Sequence, residues 1–362
     1  MCKKLTPLVM GDLEIKVPII LGGMGVQIST APLVGAVANC GGAGTIASVG
    51  LGQNVHGSDI DFVKDSREGL ERQIDEARKV TKGAIGVNIL AALTNYEDLA
   101  RTSARKNVDY IISGAGLPLK LPEYVGDSKV KLLPIVSSAK AADLIIRTWK
   151  KRYDRLPDAI VVEGPLAGGH LAFKPEDLLD NKKNSLEDIV ASVLKTVKEY
   201  EEKFNAKIPV IAAGGIFDGK DIAKFIKMGV SGVQMATRFV TTVECDVPES
   251  LKQLYIKASE KDIVIINSPV GLPGRAINTK LIDKVKSGEK IKIRCYYKCL
   301  KTCDARTAPY CIAEALLNAV RGNLDEAVVF CGQNVSKIKE IVSVKELIDE
   351  LVEETNTELN KK

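Results

Sequence analysis

Histidine is scarce in this chain: two of 362 residues, His56 and His170, carry an imidazole, and they stand far apart. No His-Glu-x-x-His pair occurs, so a histidine-based zinc site is not expected. A Gly-x-Ser-x-Gly nucleophile elbow and a Gly-x4-Gly-Lys-[Ser/Thr] phosphate loop are also missing, which takes ground from hydrolase and phosphotransferase readings. No apolar run approaches the ~18 residues a membrane span needs. The stretch Met1 to Met10 lacks the apolar core and small-residue cleavage site of a secretion signal. Fifty-one basic residues against 46 acidic ones leave a net charge of +5, too mild to imply nucleic acid. The expectation is a cytoplasmic protein without a membrane or nucleic-acid partner. No internal repeat stands out.

Cysteine is present in an uneven way. Eight cysteines occur, at 2, 40, 245, 295, 299, 303, 311 and 331, and without a secretion signal they are expected to be reduced. Four of them, Cys295, Cys299, Cys303 and Cys311, fall within seventeen residues. On a helix the first three would share one face, and a break at Pro309 would fold Cys311 back toward them. Four thiolates in proximity suit an iron–sulfur cluster or a structural zinc ion. The spacing matches neither a common ferredoxin nor a zinc ribbon, and free cysteines are the alternative.

Forty-five per cent of residues are hydrophobic and 27% charged, as in a globular protein with a large core. Short β-branched runs ending in Gly, Ser or Asn recur at 18–24, 43–48, 84–90, 109–115, 131–138, 159–164, 209–215 and 232–239. Helix-like stretches lie between them: Thr30 to Asn39 after a Ser29 cap, Arg67 to Val80, Tyr96 to Lys106, Ala139 to Lys151, Ser185 to Phe204 and Asp218 to Met228. Continuous apolar strands followed by polar-faced helices signal a parallel sheet covered on both sides, and eight such units predict a (β/α)8 TIM barrel of the α/β class. An open dinucleotide-binding sheet is disfavoured, because Gly22-Gly-Met-Gly25 lacks the G-x-G-x-x-G spacing and no acidic residue ends the second strand. The barrel is expected over 1–245 and a helical and loop extension with the Cys-rich segment over 246–342. Within it Ser268 to Arg275 reads as a loop, 280–301 as a solvated basic face and Ile312 to Val320 as a helix. A charged terminal helix that frays is expected over 343–362.

In such a barrel the carboxyl ends of the strands face the active site. Gly22, Gly23 and Met24 end the first strand, Asn88 lies in the third, 113–116 end the fourth, and Glu163 through Gly168-Gly169-His170 follow the sixth. The seventh ends in Gly214-Gly215 and the eighth in Gln234-Met235-Ala236-Thr237, small and hydroxylated residues suited to cradling a phosphate. Glycines admit a flat or charged ligand close to the backbone, and five mouths of the same character point to a bound cofactor rather than to simple turns. His170 leaves the sixth strand on a glycine pair, where an imidazole can act as acid, base or donor. His56 lies in a polar loop and reads as solvent-facing. A flavin suits these walls, since it supplies the reactive atom itself. Leu117, Leu166, Phe173 and the segment 269–275 are candidates for substrate selection. Arg275 has two readings, a partner for an anionic substrate or cofactor phosphate, or a surface salt bridge.

The ordered set Gly22-Gly-Met24, Gly86-Val-Asn88, Gly114-Ala-Gly116, Glu163 to His170, Ala212 to Ile216 and Val233 to Phe239 resembles the nitronate monooxygenase family. It is equally similar to the FMN-dependent enoyl-acyl carrier protein reductases. The likeness runs from Pro18 to Phe239 and resumes weakly at Gly332-Gln333. It implies non-covalent FMN, its phosphate on Gly214, Gly215 and the backbone of Met235, Ala236 and Thr237, with Gly22, Met24 and Asn88 flanking the ring. Gly23, Glu163, Gly168, Gly169 and Gln234 lie in the same motifs and join the cofactor-binding set. The family's usual catalytic histidine carries over to His170. The resemblance implies oxidation of alkyl nitronates by oxygen to carbonyl compounds and nitrite. Its alternatives are NAD(P)H-dependent enoyl reduction, with an acyl carrier protein docked on a basic rim, and a non-catalytic flavin-binding protein. A homodimer is a further expectation.

Overall fold

The computed structural model describes residues 4–52, 61–179, 184–295 and 297–361, so His56 and Cys2 lie outside the described residues. Eight parallel strands form one sheet: β1 (Ile19–Leu21), β2 (Gly44–Ala47), β3 (Ile85–Leu90), β4 (Tyr110–Gly114), β5 (Lys131–Val136), β6 (Ile160–Glu163), β7 (Val210–Ala213) and β8 (Gly232–Met235). Each pairs with its neighbours in chain order, and β8 returns to β1 with Val233 opposite Ile19. Between β1 and β2 the ring closes by a bridge from Ile20 to Ala43, with the Ala43 N–H donating to the Ile19 carbonyl at 3.0 Å. This is the (β/α)8 barrel that the apolar runs predict.

The strands have no polar face because both of their faces are buried. Inward residues Ile20, Ala43, Tyr110, Ile112, Leu133, Val161 and Ile211 fill the barrel, and Leu8, Met10 and Ile15 of an antiparallel hairpin, Leu8–Met10 with Leu13–Ile15, pack into the same cluster. Outward residues such as Leu21, Val87, Ile111 and Val162 pack beneath the helices. The Tyr110 hydroxyl is kept inside by donating to the Gly44 carbonyl at 2.8 Å, so its burial leaves no polar group unpaired.

Helices cover the outside at Ala31–Asn39, Phe62–Val80, Tyr96–Arg105, Ala139–Tyr153, Leu186–Phe204 and Gly219–Met228. The first of these differs from expectation at its start. Thr30 takes the cap position, while the Ser29 hydroxyl accepts from the Met24 N–H at 2.9 Å and ties down the loop after β1. The helix before β3 begins at Phe62 because Asp61 caps the Lys64 N–H, five residues ahead of the expected Arg67.

The terminal helix carries an apolar stripe as well as its charge. Val344–Asn360 buries Val344, Leu347, Ile348, Leu351, Thr355 and Leu359 and packs on Gly219–Met228 and Ala31–Asn39. It thus fills the place in the ring between β8 and β1. A capping box from Ser343 and Glu346 starts it, and Glu350 receives a forked pair from Arg238 at 3.1 and 3.2 Å.

Between β8 and that helix the chain builds a second small sheet rather than a loop. Strands Ile263–Asn267 and Pro273–Ile277 form a hairpin, and Val329–Phe330 and, from the loop after β6, Gly169–His170 both pair with Pro273–Ile277. The basic stretch is also more structured than a solvated face: Lys280–Lys286 is helical, with Lys280 and Lys284 paired to Asp325 and Glu326, each at 2.6 Å. Among the described residues no helix is long and apolar enough to cross a membrane.

Candidate active site

The carboxyl ends of the strands open into one cavity of about 250 Å³, roofed by the small second sheet and the helix Ile312–Val320. Gly22, Gly23, Met24, Asn88, Glu163, Gly168, Gly169, His170, Gly214, Gly215, Gln234, Met235, Ala236 and Thr237 all line it. Residues 22 to 237 are brought together because parallel strands all end on the same rim.

Gly214 and Gly215 have φ of +89° and +92°, a backbone conformation that favours glycine. A Cβ on Gly214 would stand 2.9 Å from the Ala167 Cβ and 3.0 Å from the Gly164 carbonyl oxygen, so bare backbone is needed there. Asn334 holds the turn by donating to the Gly215 carbonyl at 2.7 Å. Across the cavity the Gly22 N–H donates to the Met235 carbonyl at 2.8 Å, which ties the ends of β1 and β8 together. Gly23 lies directly against Asn88, since a Cβ on it would sit 2.4 Å from the Asn88 Cβ. The Gln234 side-chain oxygen is buried with no hydrogen-bond partner. A polar atom left so in a cavity wall marks a place for a ligand donor.

His170 is set by residues nearly a hundred positions away. Its strand pairs with Pro273–Ile277, Gly274 opposite His170, and its Nε2 lies 2.7 Å from the Ser268 hydroxyl. The Phe330 ring packs edge-on at 4.9 Å between centroids. Burial lowers the imidazole pKa from 6.5 to about 4, so it is neutral near pH 7. The loop carrying it is clamped by Arg275. That side chain is 2% exposed and donates to the carbonyls of Pro165 and Ala167 at 2.6 and 2.7 Å. Arg275 is therefore no surface salt bridge, and it is not among the residues that line the cavity.

Glu163 ends β6 with its exposed part turned to the cavity, and burial alone pushes its carboxyl up to about 8. The acid is thus protonated at neutral pH and can donate. In ligand-free protein the folded state keeps a proton that the unfolded chain releases above its ordinary 4.5, so this group's stabilising contribution is lost as pH rises toward about 8. His170 has the opposite sign: its contribution is lost as pH falls from 6.5 to about 4. Above pH 6.5 Glu163 acts alone. We expect Glu163→Gln to flatten the decline in melting temperature between pH 6.5 and about 8. An unchanged slope in the variant would mean that Glu163 ionises normally.

Leu166 and Val270 line the cavity as substrate-selecting candidates, whereas Leu117 is 44% exposed and lies off it. Ser268, Phe330, Cys331 and Asn334 were not legible as site residues; only the Gly332-Gln333 pair hinted that the chain returns here. The cysteine helix is absent among the described residues of 289–311, and Lys298 has a φ of +44°. Cys299 lines the cavity, while Cys295, Cys303 and Cys311 do not. Among the described residues no three His, Cys, Asp or Glu side chains converge to hold a metal ion, so neither the iron–sulfur nor the zinc expectation finds support.

Comparison with known proteins places this geometry in context. A family model described as nitronate monooxygenase matches residues 7–354. A Mycobacterium tuberculosis protein, (3aS,4S,5R,7aS)-5-hydroxy-7a-methyl-1-oxo-octahydro-1H-indene-4-carboxyl-CoA dehydrogenase, is 29% identical over 76% of this chain and 67% of its own length. A probable nitronate monooxygenase of Staphylococcus aureus is 28% identical over 76% of this chain and 79% of its own. The structure of FabK from Thermotoga maritima superposes with a TM-score of 0.72 at 28% identity, covering 95% of this chain and 94% of that one. A nitroalkane oxidase from Streptomyces ansochromogenes shares the fold, with a TM-score of 0.72 at 18% identity over 94% of this chain and 96% of that one.

Proposed function

The chain belongs to the nitronate monooxygenase family and is an FMN-dependent oxidoreductase, and from that premise we propose that it reduces an apolar α,β-unsaturated acyl thioester. The observation that carries this reading is the cavity wall. Leu90, Leu93, Leu166, Val270, Leu300 and Leu316 line it, and its one cationic side chain among the described residues, Arg238, is paired with Glu350. An apolar wall without a free cation suits a neutral acyl group better than a small anion. The relatives named carboxyl-CoA dehydrogenases support the thioester part of this reading.

The residues present fit FMN. The Gly214-Gly215 turn offers N–H groups to a phosphate, with the backbone of Ala236 and Thr237 beside it. Gly22, Gly23, Met24 and Asn88 form a close wall for a flat ring. The protonated Glu163 can donate and the unpaired Gln234 oxygen can accept. Bound FMN supplies two-electron transfer between a reduced nicotinamide and the substrate. Enoyl reduction places a hydride on the β-carbon and a proton on the α-carbon. The pair of His170 and Ser268 holds exchangeable protons at the cavity wall for the second of these. The apolar roof excludes water from the reacting carbons.

The second reading is oxidation of an alkyl nitronate by oxygen to a carbonyl compound and nitrite. It is favoured by the family match and the Staphylococcus aureus relative, and it requires no nicotinamide. Anaerobic spectroscopy separates the two. We expect NADH or NADPH to bleach the flavin bands and a trans-2-enoyl-CoA to restore them, with longer acyl chains faster. Bleaching by a nitronate alone, with nitrite released on admitting air and no response to enoyl-CoA, would overturn the thioester reading.

A further inference from the structure

Arg275 brings a positive charge into the interior, where an unpaired charge is costly to hold. The residue is 2% exposed, and among the described residues no acidic side chain pairs with it. Burial lowers its pKa, yet a guanidinium stays charged at neutral pH. The one titratable group that bears on it is the Cys331 thiol, which burial pushes up to about 12 and so leaves neutral. Nothing described around Arg275 balances it.

The charge stands one peptide layer behind the cavity. Its strand lies opposite Gly169, and its guanidinium donates to the Pro165 and Ala167 carbonyls at 2.6 and 2.7 Å. A trans peptide unit aims its N–H opposite to its C=O, so the Leu166 and Gly168 N–H groups face away from Arg275. Both residues line the cavity, and among the described residues neither N–H has a partner within the chain. A cation at the carbonyl of a peptide polarises the unit and strengthens the donor at its other end. A clamp alone accounts for the two hydrogen bonds but not for the charge, since an amide side chain holds a carbonyl without that desolvation.

The same loop presses on the residues to which the flavin phosphate is assigned. A Cβ on Gly214 would stand 3.1 Å from the Ala167 nitrogen, and one on Gly215 2.9 Å from the Leu166 Cβ. On its other flank the Gly332 N–H donates to the Thr237 hydroxyl at 2.9 Å, and the preceding Cys331 N–H to the Arg275 carbonyl at 3.2 Å. Two other cations stand near this end of the cavity, against the Phe217 ring. Arg238 is paired with Glu350, and Lys337 is exposed, where salt screens it.

We propose that Arg275 is the counter-charge of the flavin phosphate, acting from behind the loop 165–168 through two peptide units whose N–H groups face away from it, without touching the phosphate itself. The proposal rests on the phosphate lying at the Gly214-Gly215 turn. Its test compares FMN with riboflavin, which has the same ring and no phosphate, by fluorescence titration of full-length protein stripped of flavin. Arg275→Met should weaken FMN on the order of a hundredfold and riboflavin less than about threefold, while Arg275→Lys, which keeps the charge, should hold FMN within about tenfold of wild type. Equal loss of both ligands in Arg275→Met would leave the residue a clamp and overturn the proposal. A second readout uses wild-type holoenzyme and needs no variant to fold. A free phosphate monoester takes up its second proton near pH ~6. Beside a fixed positive charge the bound phosphate should stay dianionic, with its phosphorus NMR shift constant from about pH 7.5 to about 5.5. A bound phosphate that titrates like free FMN also overturns the proposal. Failure of the phosphate site itself looks different: wild-type protein would then bind FMN no more tightly than riboflavin, and both readings would fall together.

Discussion

Gly215→Asp is expected to yield a colourless protein. At φ +92° an aspartate is strained, and its Cβ would meet the Leu166 Cβ at 2.9 Å. More costly is its charge, which would stand beside the phosphate at the Gly214-Gly215 turn. Two like charges about 4 Å apart repel by on the order of 4 kcal/mol at an effective dielectric constant near 20, roughly a thousandfold in Kd. Gly215→Ala has the backbone strain without the charge and should retain more flavin. The measurement is FMN per chain after gel filtration, with circular dichroism to show that both variants fold. A folded Gly215→Asp protein with a full complement of FMN would place the phosphate elsewhere in the cavity.

His170→Ala is expected to lower turnover on the order of a hundredfold to ten-thousandfold, the range for loss of a positioned acid or base, with FMN content unchanged. The half-reactions distinguish this from general damage to the site. Reduction of the flavin by NADH or NADPH involves no proton at the substrate carbon and should keep its wild-type rate, whereas anaerobic reoxidation by the enoyl thioester should slow. Ser268→Ala should weaken reoxidation less, because it removes the partner at 2.7 Å that orients the ring but leaves the ring itself. Since the imidazole titrates near 4, no acid limb should appear close to pH 6.5 in the wild-type rate profile. Equal slowing of both half-reactions would reduce His170 to a packing residue.

Much of the barrel was legible because its signals are local. A strand buried on both faces must be apolar at every position, and a strand end that faces a ligand must be small. Both properties are visible in five to eight consecutive residues, so the eight runs and their glycine-rich ends could be read in order. The hairpin from Leu8 to Ile15 was missed because three-residue strands give too little alternation to detect. The strand Pro273–Ile277 was missed because its Pro and Gly, and those of the turn before it, resemble a loop, whereas Ile263–Asn267 is an apolar β-branched run that carries the ordinary strand signal and was passed over.

The sequence by itself determined the class of this protein: a parallel barrel whose carboxyl rim carries glycines, two amides, one carboxyl and one histidine in the order of the nitronate monooxygenase family. Tertiary structure alone decided what those groups are chemically. Glu163 holds its proton and His170 lacks one because both are desolvated, and desolvation depends on the strands and roof around them. Ser268 reaches His170, and Arg275 reaches the carbonyls of Pro165 and Ala167, across about a hundred residues of chain. The terminal helix docks for the same reason: its apolar stripe has a partner only once the ring leaves a place between β8 and β1. Periodicity is a property of neighbours along the chain. Charge state, pairing and the docking of a helix depend on neighbours in space, which no short window of sequence contains.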